Sequence, residues 1–119
     1  MSAYFYSSCD SATDAKWLDA DLPGSARGDF VCLDPYGLNG QATCFAGRIR
    51  LDPDEINIGS DDAEDRKKTA CHEVGHSVGL QHGDTKTDCM INGEIPDTTA
   101  QWRTFNSHHI NDHINPYYT

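Results

Sequence analysis

The segment His72-Glu73-Val74-Gly75-His76-Ser77-Val78-Gly79-Leu80-Gln81-His82 constrains this chain more than any other stretch. It reads H-E-x-x-H-x-x-G-x-x-H, and the spacing dictates a geometry. His72 and His76 are four apart, so a helix stacks them on one face, where two imidazoles can grip one metal ion. The helix can stop at Gly79, because glycine takes up the left-handed conformation at little cost. The chain then turns, and His82 can point back to complete a three-ligand zinc set with one position open. Glu73 follows the first ligand and is expected to face a metal-activated water as general base. A structural zinc or a helix of ordinary surface histidines is the plainer alternative. Neither gives Glu73 a purpose or explains the open fourth position.

The rest of the composition is poor in core residues. Leu, Ile, Val and Phe total 20 of 119 residues, about 17%, and the net charge is −10. Those values fall in the range of disordered chains. The motif and the cysteines argue instead for one folded domain whose small core is supplemented by metal and disulfide cross-links. With 9 basic against 19 acidic residues, nucleic acid and anionic membranes are poor partners. No apolar run approaches the ~20 residues of a membrane span. Met1-Ser2-Ala3-Tyr4 lacks the basic start and apolar core of a signal peptide. The cysteine content nevertheless favours a mature secreted chain over a cytosolic one, and a monomer is expected.

The five cysteines are Cys9, Cys32, Cys44, Cys71 and Cys89. Sequence leaves their pairing open. The preferred pairs are Cys71–Cys89, which would tie the metal helix to the segment before Met90, and Cys32–Cys44. Reduced, buried thiols are the alternative. Cys9 would be left over, able in principle to cap the metal.

Along the chain, Tyr4-Phe5-Tyr6 is rich in strand formers. Residues 11–20 read as a short helix ended by Pro23-Gly24. Residues 29–33 read as a strand closed by Asp34-Pro35, and residues 43–51 as another. Ile56 and Ile58 alternate as in a short strand. The metal helix should span about 61–78. Acidic residues crowd its first turns, and Asp61 and Glu64 stand at capping-box spacing. Ser107 is the expected cap of a last helix carrying Ile110 and Ile114.

With Met90 in Asp88-Cys89-Met90-Ile91, soon after the third histidine, the chain resembles the metzincin zinc metalloproteases. The nearest type is the compact bacterial one, matrixin-like or snapalysin-like. Met90 falls where those proteins carry the methionine of their Met-turn, a polarisable floor beneath the ligands. The resemblance implies an α+β zincin fold, a twisted mixed sheet with an active-site helix. Residues 1–82 would form an upper part, and 83–119 a small lower subdomain ending in a helix. It also implies a zinc-dependent endopeptidase. His72, His76 and His82 would bind the ion, and Glu73 would serve as base. A protein or peptide substrate would lie along an edge strand, expected within 43–51, with its primed side walled by 92–98. Asp84 is a rival third ligand of snapalysin-like type. Gly83 departs from the residues that the large families carry after the third histidine. The runner-up readings are a zinc-bound but catalytically silent peptide-binding module and a latent protease that needs activation.

Weaker features remain. His108, His109 and His113 could form a second metal site, against a reading as surface groups or helix caps. Asp52, Asp54 and Glu55 could offer oxygens to calcium, against a solvated acidic turn. Trp17 and Trp102 are expected in the core or the cleft. Tyr117 and Tyr118 are either transition-state donors or part of a frayed end.

Overall fold

The computed structural model describes residues 15–38, 41–82 and 87–118, with side chains outside 34–38, 41–45 and 117–118. The expectations for Tyr4-Phe5-Tyr6, Cys9, Asp84 and the side chains of Cys44, Tyr117 and Tyr118 lie outside the described residues.

Strands β1 (Ala15–Asp19), β2 (Gly28–Leu38) and β3 (Gln41–Leu51) form one mixed sheet in the order β1-β3-β2. β2 and β3 are an antiparallel hairpin. β1 runs parallel to β3, from Ala15 opposite Gly47 to Asp19 opposite Leu51. Three expectations change here. Residues 15–19 are extended rather than helical, because pairing with β3 outweighs the weak helical preference of a segment that also holds a strand-forming tryptophan. β2 does not close at Asp34-Pro35. The register slips between Cys32 and Asp34 and again between Asp34 and Pro35, and this irregularity accommodates the proline while the hairpin continues to Leu38. β3 is central rather than at the edge, so its Gly47–Leu51 half is paired on both sides.

Asp52 then turns the chain. Its carboxylate accepts from the Leu22 amide at 2.7 Å and from the amides of Asp54 and Glu55 at 3.1 and 3.3 Å. It thereby caps α1 (Pro53–Ile56), with proline at the first helical position. Ile56 is therefore a buried helical residue and Ile58 is exposed, where a short strand was expected.

The long helix α2 (Asp62–Ser77) matches the expected span. Asp61 occupies its cap position, but the side chain makes no capping bond, so the expected capping box does not form. Its buried face holds Asp65, Lys68, Thr69, His72, Glu73 and Gly75. That face is polar, and the apolar core beside it is small: Leu22, Ile49, Ile56, Leu80, Cys89, Met90 and Trp102. A helix that buries polar groups is held by satisfied hydrogen bonds rather than by area alone. The Cys71–Cys89 disulfide pins it, with Cα atoms 5.9 Å apart. Cys32 is also disulfide-bonded.

Trp102 is buried in a 3₁₀ turn (Ala100–Arg103), its Nε1 donating to Asp97 at 2.9 Å. Trp17 is exposed on β1. A π-helical segment (His109–Ile114) leads into α3 (Asn115–Tyr118). Its cap is Asn106, not Ser107, because Asn106 Oδ1 accepts the His109 amide at 2.9 Å. The result is the expected α+β fold. No described helix is long and apolar enough to cross a membrane.

Candidate metal centre and its cleft

His72 and His76 project from one face of α2, with ring centroids 4.7 Å apart. α2 ends as the spacing requires. Gly79 has φ +88°, Leu80 donates back to the Gly75 carbonyl at 2.9 Å, and Gly79 donates to that of His76 at 3.0 Å. This turn returns His82 to 5.0 Å from both other rings. One ligand atom from each of the three lies within 4.8 Å of the others.

The hydrogen bonds settle which nitrogen faces inward. His72 Nδ1 meets the Cys89 carbonyl at 2.9 Å, and His76 Nδ1 meets that of Leu80 at 2.9 Å. A carbonyl only accepts, so each Nδ1 carries the proton and each Nε2 presents a lone pair. Those two Nε2 atoms stand 3.1 Å apart. Two lone pairs at that distance repel each other, and a cation between them would relieve the repulsion. Burial pushes His72 down to about 4, against the opposing Cys89 carbonyl, and also lowers His76. At neutral pH that cation is not a proton. The donor set fits zinc, with outer oxygens orienting two of the three ligands.

Glu73 lies on the sheet side of the helix. The start of β2 presses against it so closely that a methyl at Gly28 would sit 3.0 Å from Glu73 Oε1. Burial, with the Asp29 charge adding and Lys68 opposing, raises the Glu73 carboxyl to about 7. A carboxyl there can take and return a proton near neutrality. Asp29 itself is held low by Arg50, whose Nε donates to Asp29 Oδ1 at 2.9 Å.

Met90 is fully buried beneath the helix. Its sulphur occupies the space that a Cβ at Gly75 would need, so any side chain there would force the buried Met90 to move. The Met90 amide donates to Asp88 Oδ1 at 2.9 Å, while Asp88 Oδ2 accepts the Asn106 amide at 2.9 Å and meets His109 Nδ1 at 2.5 Å. Sequence reasoning missed this hub. An aspartate two residues before Met90 hints at a side-chain-closed turn, but nothing local points to His109.

A cavity of about 700 Å³ opens between β2 and α2, lined by all three motif histidines, Glu73, Lys68, and residues 25–30 and 92–94. Of the expected wall 92–98, only Asn92, Gly93 and Glu94 line it. Asp65 and Lys68 fasten that wall. Asp65 Oδ1 accepts the Ile95 amide at 2.9 Å, and Lys68 Nζ donates to the carbonyls of Ile91 and Gly93 at 2.5 and 2.9 Å. These two residues were also missed, although they lie seven and four positions before His72 and so share its helical face.

The second histidine group does not gather three ligands. His109 is spent on Asp88, His108 Nδ1 meets Asp112 at 2.7 Å, and His113 Nε2 stands 3.3 Å from His108 Nε2. Among the described residues only His72, His76 and His82 bring three ligand atoms together. The carboxylate of Asp52, weighed for calcium, is committed to three backbone amides.

A cleft cut between a sheet edge and the helix that carries its ligands, in a small α+β fold, is compatible with a matrixin-like fold. Residues 25–105 match the matrixin family, and the chain belongs to it. That membership supports a zinc metallopeptidase kind of function. Comparison with curated proteins and with solved structures gives no match.

Proposed function

We propose that the chain is a secreted, monomeric zinc endopeptidase acting on extended segments of protein substrates. His72, His76 and His82 hold the ion, and Met90 forms the apolar floor. Zinc held there supplies Lewis acidity toward a peptide carbonyl and a water. Glu73 takes the proton of the attacking water and returns it to the departing amine. The substrate pairs with the edge of β2, which borders the cavity, rather than with β3. Asn92, Gly93 and Glu94 wall the side that receives the residue after the cleaved bond. The net charge of −10 favours protein over nucleic acid or membrane surfaces.

One observation carries this reading: two Nε2 lone pairs 3.1 Å apart beside a carboxyl raised to about 7. Metal analysis coupled to a peptide-library cleavage assay tests it, with Glu73→Ala beside the wild type. Zinc in both proteins is expected, with kcat/KM lower in the variant by about 10²- to 10⁴-fold. Zinc without turnover in either protein would overturn the enzyme and leave a silent binding module or a latent form.

A further inference from the structure

Lys68 is 3% exposed, yet it lines the cavity that holds Glu73 and the three histidines. An ammonium has three N–H donors. Two of them go to the neutral carbonyls of Ile91 and Gly93. Among the described residues no carboxylate lies within ion-pair reach of it. The other cation lining the cavity already has counter-ions: Arg27 stands 3.6 Å from Asp65 and 2.6 Å from Glu94. Two of the cavity's acids are likewise taken, Asp29 by Arg50 and Glu94 by Arg27.

A buried cation without a contact ion pair is costly, and here burial, with the Arg27 charge adding and the longer-range charges of Asp65 and Glu73 opposing, pulls the ammonium down to about 8. It remains charged at neutral pH. Lys68 is one helical turn before His72 on the same face, so its charge reaches both His72 and Glu73. It also anchors the wall at Ile91 and Gly93. The chemistry that relieves such a group is a carboxylate delivered by the substrate, which would take the third N–H in a charge-assisted bond.

We infer that Lys68 is a specificity-determining residue that receives a carboxylate borne by the substrate residue immediately after the cleaved bond. This rests on the endopeptidase reading above.

The zinc-loaded enzyme tests it with peptides that differ only at that residue, Glu against Gln and Asp against Asn. Each peptide is made twice, once extended and amidated, and once ending there as the free acid. The acidic peptides should lead their amides in kcat/KM by about 10- to 100-fold. A lead among the extended peptides assigns a side-chain carboxylate, and a lead confined to the free acids assigns the chain terminus; both support the role of Lys68. In Lys68→Met the ratio should fall toward one. A wild-type ratio near one, with peptides cleaved, overturns the inference. So does a Lys68→Met protein that loses rate equally on both peptides and keeps the ratio, since Lys68 would then be only a strut for the 91–93 wall. If that variant does not fold, the wild-type ratio decides alone. No cleavage of any peptide overturns the endopeptidase reading and this inference with it.

Discussion

The chain's six histidines fall into two groups of three, and the groups differ in what their rings are asked to do. Both contain a pair of Nε2 atoms in close approach, 3.1 Å for His72 and His76 and 3.3 Å for His108 and His113. In the first group the pair is four apart on an α-helix, each Nδ1 is held by a backbone carbonyl, and the chain brings back a third ring. In the second the pair is five apart across a π-helical segment, and the rings at 108 and 109 are held by the carboxylates of Asp112 and Asp88. The third ring, His109, turns away to Asp88. Histidine count therefore does not make a metal centre. Convergence of three lone pairs does, and neutral partners on the far side of the rings preserve it.

The sharpest way to break this comparison is to exchange the damage. His76→Ala or His82→Ala should reduce zinc from about one ion per chain to near none after dialysis, with activity lost alongside. His108→Ala and His113→Ala should leave the zinc in place. Elemental analysis of the dialysed variants reads this directly, and zinc loss in His113→Ala would end the distinction.

A second test separates the two carboxylates of the distal group. Asp88 is 1% exposed and serves Met90, Asn106 and His109 together. Asp88→Ala strands several buried donors and should cost about 3–5 kcal/mol, read as a lower urea midpoint. Asp112 is exposed, and Asp112→Ala should cost less than about 1 kcal/mol. Equal losses would mean that the Asp88 hub is not what docks the C-terminal helix against the Met90 turn.

A third concerns the cross-link beneath the first group. The Cys71–Cys89 bridge closes a loop of sequence separation 18, and replacing both cysteines with serine should cost about 3 kcal/mol. Because the Cys89 carbonyl orients His72, zinc affinity should also fall, by about 10- to 100-fold. A competition titration with a chelator measures it. A stability loss with unchanged affinity would show that the carbonyl holds its place without the bridge.

The sequence made the first group readable because its geometry is local. A four-residue spacing, a glycine at the helix end and a third histidine three residues beyond all lie between residues 72 and 82, and the helix follows. Cys71–Cys89 was readable for the same reason, since both residues flank members of the centre. What was misread depends on distant pairing. The extended state of 15–19 is imposed by β3, thirty residues away. The central place of β3, against the edge position that the resemblance implies, is invisible in its own pattern, which does not say which strands will flank it. Asp52 was expected in a solvated acidic turn rather than on calcium, but it is buried, caps a helix and holds Leu22. Lys68 draws no reading from the sequence, and Asp65 only one as an acidic group of the first turns, because the partners of both lie in the distant 91–95 segment. Buried polar groups with partners 20 to 30 residues away leave no periodicity to find.

The smallest effect is also the most discriminating, because it separates His72 from its neighbour Glu73 in the zinc-stripped protein. His72 falls from an ordinary 6.5 to about 4 on folding, mainly through burial. Between those values the unfolded chain binds a proton that the folded chain does not, so this group alone makes stability fall as pH drops from 6.5 to 4. Glu73 rises from 4.5 to about 7, again mainly through burial. Over that range the folded chain holds the extra proton, so Glu73 alone makes stability fall as pH rises. Between 4.5 and 6.5 the two oppose each other: folding moves a proton from an imidazole to a carboxyl with little net uptake. Each is on the order of 2–3 kcal/mol across its window, so the wild-type apoprotein should show a shallow profile there. His76, lowered as well, leaves a modest slope toward acid instability. Glu73→Gln should steepen that acid limb, and His72→Asn should reverse it. Urea titrations from pH 4 to 7 measure both. Parallel profiles in the two variants would mean that neither side chain is as buried as the cleft places it.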